Sequence, residues 1–207
     1  RTSLAALRDP AVRREELGVM CGIVSAMGKV GIPYLHLYSS NEIVPEGKQE
    51  RECLWAGLVE YYRELSDVAE AADVKVSTHH FHKPDRILWN LETMERLFGE
   101  VPSSANGVIF CQGKSELAGD NLGAAIRAFG DRTFMVHIRD IVTRASDPID
   151  AEVRERLEGL GYLEVAFGTG EVDMVETFRA LKEVNYTGLI YPELYQSIAG
   201  ARVAGLA

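Results

Sequence analysis

The stretch STHHFHKPD, residues 77–85, places His79, His80 and His82 within four positions, three of the chain's 5 histidines. An imidazole can ligate a metal, carry a proton or orient a neighbour, so placement matters more than number. Side chains alternate across a strand, and His79 shares a face with Ser77 at the end of a strand-like run. His80 then points outward or into the loop, and His82 lies past the strand, where Pro84 marks a turn. We therefore expect one ligand, His79, with His82 a candidate for substrate contact or proton transfer and His80 in a supporting or solvated place. The same phase test selects Cys111, His137 and Glu193 as the last inward positions of three other runs. Two imidazoles, a thiolate and a carboxylate suit a borderline metal such as Zn, Mn, Fe or Co. A lone His or Cys at a strand end is usually structural, whereas four in phase on separate strands form a ligand pattern.

The elements that must position these residues are strand-like runs at 32–39, 74–80, 107–112, 133–140 and 188–193. Helical patterns separate them: one ending near Lys29, then 51–72, 91–98, 122–129 and 172–184. Unbroken apolar strands with helical crossovers imply parallel pairing with both sheet faces covered. Phase assigns Tyr34, His36, Tyr38, Ser77, His79, Ile109, Cys111, Met135, His137, Arg139, Tyr191 and Glu193 to one face. The other face carries Val74, Val76, Val108, Phe110, Phe134, Val136, Ile138 and Ile190. In a (β/α)8 TIM barrel, helices cover the apolar outer face, and inward residues near the carboxyl ends of the strands line the ligand-binding mouth. Five strands cannot close such a barrel and would leave an open edge. The expectation is one barrel domain over residues 1–207 that lacks its N-terminal strands, the chain opening within a helical pattern.

A net charge of -9, with 22 Lys and Arg spread thinly, argues against a nucleic-acid partner and for a small molecule. Apolar runs such as 107–111 and 133–138 fall far short of the roughly 20 residues of a membrane helix, and no signal-peptide pattern opens the chain. Cys21, Cys53 and Cys111 are widely spaced and odd in number, which fits a reducing, cytoplasmic setting. The glycines of GTGEVDM, residues 168–174, lack the spacing of a dinucleotide or P-loop fingerprint, so a phosphate cradle is a weak reading there.

Four segments, VKVSTHH (74–80), VPSSANGVIFCQGK (101–114), IRAFGDRTFMVHIRD (126–140) and GEVDMVETFRALKEVNYTG (170–188), carry a further signal. In order and content they resemble the mannonate dehydratase family of xylose-isomerase-like TIM barrels, a similarity running from about Val30 to the C-terminus. The resemblance implies that the recognisable strands are about the fourth to eighth of the barrel. It also implies a divalent metal, usually manganese with Mg, Co, Zn or Fe as alternatives, held by His79, Cys111 and His137. The family's fourth ligand is an Asp in an Arg-Pro-Asp-His sequence; here YPEL puts Glu193 at that position and Leu194 at the neighbouring His, which serves in acid–base chemistry. Phe167 and its neighbours stand where the family has another His, and HHFHKPD replaces its proline- and aspartate-rich loop. The metal shell is kept and the proton-transfer set is altered.

The expected function is a metal-dependent dehydratase, a carbon–oxygen lyase, acting on a sugar acid. The alternatives are a metal-dependent sugar isomerase or epimerase, and a non-catalytic barrel that binds a sugar acid. His82, Tyr195 and Glu164 are candidate proton carriers. Arg139 is expected in the catalytic set as the substrate-carboxylate binder, its fork matching a carboxylate bidentately, with an ion pair to a neighbouring acid as the competing role. Gln112 and Lys114, just after Cys111, could touch substrate hydroxyls, and His36 could orient a ligand or a water at the substrate. A homo-oligomer is expected.

Overall fold

The computed structural model describes residues 2–38, 43–144 and 151–193, with the side chains at 151–153 and 156 outside that description. The chain opens with helices α1 (Leu4–Arg8) and α2 (Pro10–Lys29), then β1 (Tyr34–Leu37), α3 (Gly47–Ala71), β2 (Lys75–His79), α4 (Leu91–Glu100) and β3 (Asn106–Cys111). It continues through α5 (Gln112–Ala118), α6 (Leu122–Phe129), β4 (Thr133–Ile138), β5 (Asp140–Val142), α7 (Ala151–Leu160), β6 (Leu163–Val165), α8 (Met174–Glu183) and β7 (Leu189–Pro192). The helix starts follow local chemistry: Asp9 caps α2 with Pro10 at its first turn, and Asn90 and Thr93 form a reciprocal capping box on α4.

Five strands pair in parallel in the order β1-β2-β3-β4-β7, while β5 and β6 form a separate antiparallel pair. The outward face of the sheet supplies Val76, Val108, Phe110, Val136 and Ile138 to a core shared with Leu58, Tyr62, Leu65, Leu97, Ile126, Phe129 and Leu181 of the helices. Each fully buried side chain of this kind is worth about 1.5–3 kcal/mol, which is what clamps the helices to that face and leaves the other for ligands. The two sheet edges are less covered: Tyr34, Leu189, Ile190 and Tyr191 are exposed. Among the described residues, no helix is long and apolar enough to cross a membrane.

Three local features differ from the sequence reading. The register steps between Val108 and Ile109, pairing Val108 with Thr133 and Ile109 with Met135, so Phe134 is the extra residue of a bulge. Phe134 therefore leaves the outer face assigned to it. Its ring lies 6.3 Å from that of Tyr34, over Gly107, where a Cβ would collide with it. The bulge leaves Met135 and His137 in phase with Ile109 and Cys111.

Second, the run 133–140 is not one strand. Asp140 turns its carboxylate to the backbone N–H groups of Ile141, Gly168, Gly170 and Val172, at 3.0, 2.8, 2.9 and 3.3 Å. That draws the GTGEVDM loop back over the strand end, and a Cβ at Gly170 would come within 2.6 Å of the Ile141 carbonyl oxygen. The loop amides serve an internal carboxylate rather than a phosphate. Third, α5 begins at Gln112 with no loop after β3, so Gln112 and Lys114 sit on a helix rather than on a strand end and a loop.

Candidate metal centre

Parallel register sets the levels at which the ligand candidates emerge. His79 is level with Ile109, and Cys111 is level with His137 on the adjacent strand. Glu193 follows β7 directly, its N–H donating to the Ile138 carbonyl at 2.9 Å, which fixes the carboxylate beside β4. His79, Cys111, His137 and Glu193 are all buried, and one ligand atom from each lies within 4.8 Å of every other. Donors around a tetrahedral ion stand about 3.3–3.8 Å apart, so the four atoms would contract by up to about 1 Å around a common centre.

The chemistry of each donor suits that role. The His79 Nδ1 lies 2.6 Å from the His80 carbonyl oxygen, which can only accept, so Nδ1 carries the proton and Nε2 keeps the lone pair a metal needs. Burial, then the imidazoles of His80 and His137, hold the His79 pKa well below its ordinary value, so the ring is neutral. Glu193 accepts from His137 Nδ1 at 3.0 Å and faces the Cys111 Sγ at 3.8 Å. Burial by itself would raise the Glu193 carboxyl, but the His137 hydrogen bond and the Arg139 charge outweigh it and bring the pKa to about 2. Burial pushes the Cys111 thiol up to about 11, so thiolate at neutral pH calls for a cation beside it. The cluster of two nitrogens, one sulfur and one carboxylate fits a divalent metal ion. Tyr38 stacks on His79 at 4.8 Å between ring centroids, and Tyr191 leans on His137 at 5.6 Å.

Around this centre lies a buried polar layer. Arg139 spans two carboxylates, with Nε 3.0 Å from Glu164 Oε1 and Nη2 2.7 Å from Glu193 Oε2. Its role as an ion-paired residue is thus present in the structure, and Glu164 is engaged by the same guanidinium. Lys114 donates to the Tyr162 hydroxyl at 2.9 Å, and Arg139 Nη1 reaches the same oxygen at 3.5 Å. Burial and then the Arg139 charge lower the Lys114 pKa to about 8. His82 packs edge-on to Tyr162 with 5.8 Å between centroids, and burial, then the Lys114 charge, lower its pKa to about 3. Gln112 is fully buried and donates to the Met174 Sδ at 2.7 Å.

The other sequence candidates are placed as follows. His36 is on the inward face but exposed, with its pKa lowered by burial and by the nearby His137. His80, expected outward or solvated, is 1% exposed because α5 covers it: Nδ1 donates to the Phe81 carbonyl at 2.6 Å and Nε2 meets the Ser115 hydroxyl at 3.3 Å. Tyr195 and Leu194 lie outside the described residues. Tyr162, which joins Lys114 to Arg139, was not singled out from the sequence. It precedes a three-residue strand, too short to show a phase.

Comparison with known proteins extends these observations. A family model described as D-mannonate dehydratase (UxuA) matches residues 45–204. A mannonate dehydratase from Oceanobacillus iheyensis is 29% identical over 160 residues, 73% of this chain and 42% of the relative. Among solved structures, the mannonate dehydratase from Streptococcus suis serotype 2 superposes with a TM-score of 0.70 at 19% identity, covering 91% of this chain and 63% of that one. The IolI protein with a zinc atom gives 0.69 at 22% identity, covering 90% and 63%. These structures show the fold, a xylose-isomerase-like TIM barrel of which this chain supplies a part. The chain spans about two fifths of the length of the curated relative.

Proposed function

The chain belongs to the D-mannonate dehydratase family, and from that premise we propose that it forms the metal-binding part of a dehydratase acting on a sugar acid. The observation that carries this reading is the convergence of His79, Cys111, His137 and Glu193 at the carboxyl ends of parallel strands. Manganese is the proposed ion. When bound it would polarise a substrate oxygen and favour the charge that develops as an α-proton leaves.

The chain's own residues do the rest. Arg139 keeps Glu193 ionised and aimed at the centre, with Glu164 holding the other edge of the guanidinium. Tyr38 and Tyr191 fix the planes of the two ligand imidazoles and shield them from water. Dehydration needs one group to take a proton from carbon and another to protonate the departing hydroxyl. His82 is neutral at physiological pH and faces the buried polar layer, which suits a group that contacts a substrate hydroxyl. Tyr195 is proposed as its proton-carrying partner.

Glu193 and Leu194 in place of the family's Asp and His favour a second reading, a metal-dependent isomerase or epimerase that shares the metal centre but moves the proton differently. Incubating the full-length, manganese-loaded protein with D-mannonate and with a panel of ketoses decides between them. The dehydratase reading expects a 2-keto-3-deoxy acid from the aldonate. An epimerised sugar with no keto acid would overturn it.

A further inference from the structure

A buried ammonium normally sits against a carboxylate, because removing a charge from water is costly unless a counter-charge replaces the solvent. Lys114 is 9% exposed, yet among the described residues its Nζ has the Tyr162 hydroxyl at 2.9 Å and no carboxylate partner. The two nearby acids, Glu164 and Glu193, are both paired to Arg139. Nζ also faces two aromatic rings, 4.5 Å from the Tyr162 ring centroid and 5.3 Å from that of Phe81.

Among the described residues, two further buried atoms have no hydrogen-bond partner, the His82 Nδ1 and the Gln112 Oε1, on residues 8% and 0% exposed. The Tyr162 oxygen already accepts from Lys114, which leaves its own O–H free in direction to donate. Lys114 and Tyr162 thus offer N–H and O–H groups at one buried place, with the His82 ring 5.8 Å from that of Tyr162. It is separated from the Glu193 ligand oxygen by the guanidinium of Arg139, whose Nη1 reaches Tyr162 and whose Nη2 reaches Glu193.

We propose that Lys114, with the Tyr162 hydroxyl, forms the site that takes the carboxylate of the substrate. The inference rests on the dehydratase reading above and moves the carboxylate from Arg139, whose two edges are engaged internally, to Lys114.

The test uses the full-length, manganese-loaded protein and titrates D-mannonate and D-gluconate against neutral D-fructose and D-mannitol by calorimetry. Lys114→Met should weaken aldonate binding by about 10- to 100-fold, the scale of a lost charge-assisted hydrogen bond, and leave the neutral sugars and the metal content unchanged. Lys114→Arg should recover much of the loss. Tyr162→Phe keeps the ring and removes only the hydroxyl. It should weaken aldonates alone by about 3- to 10-fold, and so provides a second variant if Lys114→Met does not fold. A folded, metal-loaded Lys114→Met or Tyr162→Phe that binds aldonates like the wild type overturns the carboxylate site and leaves the dehydratase reading standing. Wild-type protein that holds metal but binds no aldonate overturns both.

Discussion

Replacing Arg139 by Met removes the cation that stands between Glu164 and Glu193. The three side chains are 3%, 4% and 9% exposed, and the guanidinium contacts are 3.0 and 2.7 Å. Met roughly preserves the length of the side chain, so what is lost is charge and hydrogen bonding more than volume. Breaking a buried pair by removing one partner leaves an uncompensated charge and costs about 3–5 kcal/mol. For a chain of 207 residues that corresponds to a fall in melting temperature of about 6–20 °C. The sign with pH follows from Glu193. Its carboxyl sits at about 2 in the folded protein against 4.5 ordinarily, so its contribution is present above pH 4.5 and is lost as pH falls toward 2. The gap between variant and wild type should therefore be widest near neutrality and should close on acidification. Adding Glu164→Gln to Arg139→Met removes one stranded charge and should recover part of the loss. Circular-dichroism melts across this pH range measure all three effects. A variant melting within about 2 °C of the wild type at pH 7, or a gap that does not narrow in acid, would refute the account of Arg139 as the clamp between two buried carboxylates.

Other consequences are as direct. Cys111→Ala should lower metal affinity by at least about 100-fold while far-UV dichroism stays native, because the thiolate is a proposed ligand and a small buried side chain rather than a packing keystone; unchanged metal content would remove Cys111 from the ligand set. Because burial raises the Cys111 thiol to about 11, metal binding should displace its proton, and affinity should rise about tenfold per pH unit near neutrality. Calorimetry in two buffers of different ionisation enthalpy counts that proton, and a count of zero would contradict the assignment. Gly170→Ala should destabilise the fold by about 1–3 kcal/mol, since the new Cβ meets the Asp140 carboxylate and the Ile141 backbone, where little can move. A melting temperature equal to that of the wild type would mean the Asp140 loop is looser than described.

Much of the architecture could be read from the sequence because parallel strands keep a strict period of two. His79 and Cys111 end their strands and His137 stands one residue before the end of its own, and beyond the bulge the pairing of Cys111 with His137 keeps them in a common phase. Phe134 could not be read in the same way, because a bulge inserts one residue with no residue type marking it. The Thr133–Asp140 run looked continuous since Arg139 and Asp140 bear no breaker. The break is tertiary, made by four backbone N–H groups that reach Asp140 from 28 or more residues away or from its immediate neighbour. The Lys114–Tyr162 contact joins residues 48 apart through an antiparallel pair of three-residue strands, which leaves no periodic trace. His80 looked solvated for a related reason: the helix that buries it starts at once after β3, where a loop was expected.

The measurement closest to the central claim is the metal content of full-length protein purified without chelator, by plasma mass spectrometry, before and after adding Mn. The account expects about one divalent ion per chain, held by the two imidazoles, the thiolate and the carboxylate, and absent from Cys111→Ala. Less than about a tenth of an ion per chain, with no gain on adding Mn, would contradict it.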